Sequence, residues 1–170
     1  MGYGLAGEIR FNSQPAIEAV DTAPFFHNNA VQTIEEAVGF YNSQAFKKSF
    51  ADGLVPIAME TTEVENIAAF LRVMNALENI RGSLEVDQGA IDEGDRSTSQ
   101  RLALLASYDT EDAYQVLEER SLHLPAVHKL KVAYLKERQA AEAEGAPVRH
   151  NLLQAAMLLK QQARAEMIVE

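Results

Sequence analysis

The chain has 170 residues, 47% of them hydrophobic and 24% charged, with a formal net charge of −10. That composition belongs to a globular protein of one domain or two small ones. The acidic surplus opposes nucleic acid and anionic membrane surfaces. Cysteine is absent, which excludes disulfides, thiolate metal sites, cysteine nucleophiles and a C-x-x-C-H haem attachment within this sequence.

No run of about 18 apolar residues is long enough to predict a membrane span. The opening MGYGLAGEIRFN has neither a basic region nor a long apolar stretch, so it does not read as a signal peptide. Residues 1–30 mix Gly, Pro, Asn, Ser and Asp without a sustained period and read as irregular chain. So long an irregular start is uncommon in a compact fold. It implies either that the segment wraps a partner or cofactor, or that its packing partner lies elsewhere.

Thr33 opens the first helix. In Thr33-Ile34-Glu35-Glu36 the spacing is that of a capping box, and Ile34, Ala37, Val38 and Tyr41 follow on one face. Breaks are expected at Asn42-Ser43 and Asp52-Gly53. A second helix starts at Thr61-Thr62-Glu63 and carries Val64, Ile67, Ala68, Leu71, Met74 and Leu77, with Gly82 as its expected C-cap. Residues 83–96 are acidic and glycine-rich and read as a linker with room for a helical turn around Leu84–Ile91.

The remainder, 97–170, reads as a small antiparallel bundle of short-looped hairpins. One helix covers Ser97–Tyr108, and Asp109-Thr110 caps the next. Another starts at Leu124-Pro125, where proline is favoured, and ends at Gly145-Ala146-Pro147. The last covers 148–168. The pattern gives six helices, few strand signals and no convincing internal repeat of 20–50 residues.

The four histidines, His27, His123, His128 and His150, share no metal-ligand spacing. The Glu pairs at 35–36 and 63–65 sit in first helical turns, where they complement the helix dipole. G-Y-G-L-A-G at 2–7 follows no strand and is not a dinucleotide cradle. His27 in its aromatic elbow and Tyr41 on the following helix remain; on residue type alone both are commoner as packing residues than as ligands.

T-A-P-F-F-H-N-N at 22–29, T-I-E-E-A-V-G-F-Y-N at 33–42 and V-E-N-I-A-A-F-L-R-V-M-N-A-L at 64–77 together resemble the C-terminal haem domain of the bacterial di-haem cytochrome c peroxidase family. R-F-N-S-Q-P-A-I-E at 10–18 stands where that family has its lead-in. The resemblance covers about residues 8–80. Asn28-Asn29 replace the family's usual Asp-Gly, and both C-x-x-C-H motifs and the first haem domain are missing.

The resemblance implies an irregular N-terminal segment and cytochrome c-like helices as a partial haem domain at 1–82; the linker at 83–96 and the bundle at 97–170 lie outside it and are read from the residues, so the whole is all-α. It implies haem c as cofactor, with Tyr41 in the place where relatives carry an axial methionine or tyrosine. Tyr41 is then the candidate iron ligand. His27 is a pocket residue that hydrogen bonds near the haem, and Pro24, Phe25 and Phe26 line the macrocycle. The activity implied is haem-linked electron transfer and peroxide-dependent oxidation, in the periplasm, with an electron-donor protein. The missing haem-bearing portion, or another subunit, is an implied partner. This chain alone would be inactive. Two alternatives stand beside it: a cofactor-free all-helical structural or interaction protein, and a non-covalent haem binder using Tyr41 or His27.

Overall fold

The computed structural model describes residues 23–26, 31–44, 46 and 57–168. Among these the protein is all-helical: α1 (Ile34–Gly39) runs into a 3₁₀ turn at Phe40–Asn42. It is followed by α2 (Thr61–Asp92), α3 (Arg96–Glu118), α4 (Leu124–Glu142) and α5 (Ala146–Ile168). The expected turn at Asp52-Gly53, the lead-in block at 10–18 and His27 lie outside the described residues.

The expected start of α1 is present. The Glu36 amide donates to Thr33 Oγ1 at 3.1 Å, and Glu36 Oε2 accepts from the amides of Gln32 and Thr33. Two of the orphan donors at a helix N-terminus are thereby satisfied reciprocally. Pro125 sits in the first turn of α4, as expected.

Two expectations are corrected. The second helix does not stop at Gly82: α2 continues to Asp92, so residues 83–92 are helix and not linker. Ala76, Ile80, Ser83, Asp87 and Ala90 are all buried at helical spacing, so the core-facing stripe runs straight through the glycine. Nor does a new helix begin at Asp109-Thr110, because α3 is continuous from Arg96 to Glu118. The Thr110 hydroxyl donates within a buried polar group and has no helix start to cap. Merging those two segments reduces the six expected helices to five among the described residues.

The breaks that do occur have local causes. Asp95 caps α3 by accepting from the Thr98 amide at 2.8 Å. Ser121 and His123, both at positive φ (54° and 45°), reverse the chain between α3 and α4. Helices α2 to α5 form an up-down-up-down bundle in which each packs on the next and α2 closes against α5. One cluster of the core joins Ile80, Leu117, Val127, Leu130 and Met167. Another joins Ala90, Ala103, Ala140 and Leu153.

The two hairpins, α2–α3 and α4–α5, repeat one another at an offset of 50 residues, as between Ser99 and Arg149. Ile80 and Leu130, Asp87 and Glu137, Ala90 and Ala140, Ala106 and Ala156, and Thr110 and Lys160 are matched buried positions. The correspondence is one of burial. Residue identities differ at most of these positions while burial matches, so the correspondence shows in packing and hardly in letters.

The first half of α2 projects beyond the bundle and carries α1. Phe25, Ile34, Val38 and Ala68 form a small separate core there, with Val31, Met59, Val64 and Leu71 against it.

Candidate functional site

The elbow around residues 23–46 is built from the chain outward. The Phe25 amide donates to the Val31 carbonyl at 2.8 Å, closing a short loop. At its start, Phe26 adopts φ 66°, a left-handed conformation costly for an aromatic residue. That reversal sends the two adjacent phenylalanines in different directions. Phe25 is buried in the core between α1 and α2, whereas Phe26 is at the surface against Phe40.

Beyond that point four rings gather. Phe26 and Phe40 stand 4.9 Å apart between centroids. Phe46 lies 6.0 Å from Phe40 and 4.8 Å from Tyr41 in edge-to-face arrangements, the geometry aromatic quadrupoles prefer. Tyr41 remains 42% exposed. The 3₁₀ turn that carries it is tied to the approach of α2. The Asn42 side chain donates to the Met59 carbonyl at 2.8 Å and accepts from its amide at 2.7 Å.

Electrostatics hold α1 in place. Arg72 is almost fully buried and donates to both carboxylate oxygens of Glu35, at 2.7 and 3.0 Å. Arg120, in the turn after α3, reaches the same carboxylate at 3.0 Å. The Arg72 hydrogen bonds hold the Glu35 carboxyl below its ordinary range. Glu35 therefore does more than complement the helix dipole: it clamps α1 to both α2 and the end of α3. Replacing Arg72 by alanine is expected to cost about 2–3 kcal/mol, since bonds to charged partners are worth about 1.5–3. Thermal denaturation measures this. The Glu35 contribution is complete above its ordinary pKa of 4.5 and is lost as pH falls through the depressed folded value.

The structure thus brings Tyr41, Phe26, Phe40 and Phe46 into one surface cluster, with Pro24 exposed near Phe26 in the chain. Phe25 sits apart from it, behind α1. Phe40 and Phe46 were absent from the sequence-predicted set; aromatic spacing just before and after Tyr41 is the signal that points to them.

A second polar constellation escaped sequence reasoning altogether. In the middle of the bundle Lys160 Nζ, from α5, lies 2.6 Å from Asp87 Oδ2 of α2, 2.6 Å from Glu137 Oε1 of α4 and 2.6 Å from Ser83 Oγ. Thr110 of α3 donates to Glu137 Oε1 at 3.0 Å. All five residues have no exposed surface. Nearer the other end of the bundle core, Arg149 donates to Ser99 Oγ and to the Ala143 carbonyl, and Ser99 donates to the Ala90 carbonyl.

Among the described residues, no group of three or more His, Asp or Glu is close enough to hold a metal ion, and no helix is long and apolar enough to cross a membrane. Comparison of the chain with family models, with curated proteins and with solved structures finds no match.

Proposed function

We propose that the elbow and the first half of α2 form one wall of a haem site in a protein like the di-haem cytochrome c peroxidases. The assembled protein would carry out haem-linked electron transfer and peroxide-dependent oxidation. The observation that carries the reading is the surface cluster of Phe26, Phe40 and Phe46 around an exposed Tyr41. It coincides with two of the three ordered sequence blocks of the resemblance.

The residues fit the group. A phenol oxygen set among aromatic rings combines an oxygen donor with apolar neighbours suited to a macrocycle. Tyr41 would hold the iron as tyrosinate, and the three phenylalanines would cover the macrocycle and exclude water. His27 is assigned a hydrogen bond near the haem by the resemblance alone. When bound, a haem with a tyrosinate ligand supplies iron biased toward ferric and higher oxidation states. The Glu35–Arg72 clamp would keep α1, and hence Tyr41, at a fixed position. Covalent haem c, the haem-bearing portion or subunit, an electron-donor protein and a periplasmic site all belong to this proposal.

The test uses the protein purified from its native source. In the haem-loaded protein, Tyr41→Phe is expected to shift the ferric charge-transfer spectrum and lower peroxide-dependent turnover. A native protein without haem, or a Tyr41→Phe spectrum identical to the parent, would refute the assignment.

A second reading rests on the bundle. Leu105, Leu124, Leu135, Val148 and Leu158 are each about half exposed on its outer surface, as a cofactor-free interaction protein would present them. A colourless native protein that folds cooperatively would favour it.

A further inference from the structure

The buried layer of Lys160, Asp87 and Glu137 does not balance in charge. One ammonium faces two carboxylates, and none of the three has exposed surface. If both acids were ionised, a net negative charge would lie in the dry centre of the bundle. Uncompensated buried charge is so costly that a group takes up or releases a proton instead. Releasing one from Lys160 would leave two negative charges and deepen the imbalance. Taking one up on a carboxyl makes the layer neutral.

The hydrogen bonds agree with the charge. The three N–H groups of Lys160 are spent on Asp87, Glu137 and Ser83. Ser83 and Thr110 hydroxyls divide themselves among each other, the Ala106 carbonyl and Glu137 Oε1. Two carboxylate oxygens, Asp87 Oδ1 and Glu137 Oε2, have no hydrogen-bond partner among the described residues. A lone buried carboxylate oxygen is where an added proton removes charge without breaking an existing bond.

Every helix of the bundle contributes to the layer. Helix α2 supplies Ser83 and Asp87, α3 supplies Thr110, α4 supplies Glu137 and α5 supplies Lys160. Helix α3 also places Asp109 beside Gly82, half-buried and within the field of Lys160. Asp109 adds a further acid, and no second cation bonds to the layer among the described residues.

We propose that this layer is a proton-binding site: the native bundle holds one proton shared by Asp87 and Glu137, and its release as the medium becomes alkaline loosens α2 from α4 and α5. Burial, above the opposing pull of Lys160, pushes Asp87 up to about 7 and raises Glu137 as well. The folded state then binds more protons than the unfolded chain between the ordinary Asp value of 3.8 and about 7. Stability from this site is complete below that window and is lost as pH rises through it. This is the reverse of the usual behaviour of paired carboxylates.

The test is the urea midpoint of the full chain at pH 5, 6, 7 and 8, beside Asp87→Asn. The amide places a permanent neutral group where the proton would sit. The parent midpoint is expected to fall with rising pH relative to Asp87→Asn, so that the difference between the two narrows or reverses by pH 8. A difference that stays constant across the range would overturn the proposal. Should Asp87→Asn fail to fold, carboxyl ¹³C shifts of the parent decide. One of Asp87 and Glu137 protonated at pH 6 supports the site, and both ionised at pH 6 refutes it.

Discussion

Lys160→Ala is expected to destabilise the protein by about 3–5 kcal/mol at pH 7, the usual cost of removing one partner from a buried ion pair. The loss has three parts. Three hydrogen bonds disappear with the ammonium. Asp87 and Glu137 are left in the core with no cation between them. A long side chain with no exposed surface is also deleted, leaving space at the junction of four helices. Lys160→Met separates these parts, since it restores most of the volume and none of the charge. If volume dominated, Met would recover the stability. The charge argument expects Met to remain well below the parent at pH 7 and to approach it at low pH, where both acids are neutral. Denaturant unfolding followed by circular dichroism reads both variants, and a loss under about 1 kcal/mol for alanine would contradict the buried-pair account.

The second large effect lies in the apolar part of the core. Leu130 on α4 has no exposed surface and belongs to the cluster that joins Ile80, Leu117, Val127 and Met167. Leu130→Ala is expected to cost about 2–5 kcal/mol, the sum of lost transfer energy and an imperfectly collapsed cavity. Leu135, on the same helix, is 55% exposed. Leu135→Ala should fall within about 0.5 kcal/mol of the parent. The pair shares residue type, helix and chemistry, so the contrast in unfolding midpoints tests the placement of the core face directly. Equal losses would mean that α4 is rotated relative to the bundle described above.

How far the letters announced this architecture depends on the element. Thr33 with Glu36, and Pro125 after Leu124, are local signals whose meaning does not depend on distant residues, and both are realised. Gly82 and the acidic stretch after it misled because glycine and aspartate are turn formers in isolation. In the folded chain Asp87 faces Lys160, 73 residues away, and that pairing lets an acid occupy a core position inside a helix. The same holds for Thr110, whose polar side chain resembles a cap until Glu137 is placed beside it. The aromatic elbow was legible only in part: Phe26 and Tyr41 were singled out, Phe40 and Phe46 were not, and Phe25 packs behind α1 away from them. The Lys160 layer was not, because one lysine in an apolar stripe reads as a surface residue, and only the fold supplies its two acids. The 50-residue correspondence was hidden for a related reason: Thr110 matches Lys160 and Ser99 matches Arg149 in position and as hydrogen-bond donors, but not in size or charge.

The uninterrupted course of α2 has a mechanical meaning. It is a single 32-residue helix, about 48 Å long at the normal rise. Its first half carries the clamp to Glu35, and its second half carries Asp87 in the bundle core. A helix without a break is a spacer that fixes phase as well as distance, because each residue turns the axis by about 100°. The face that Arg72 presents to α1 and the face that Asp87 presents to Lys160 are therefore set to one another like two keys cut on the same shaft. A single residue inserted between them would turn the aromatic elbow by about 100° around the axis of α2 relative to the bundle, and would pull Glu35 away from Arg120 at the end of α3.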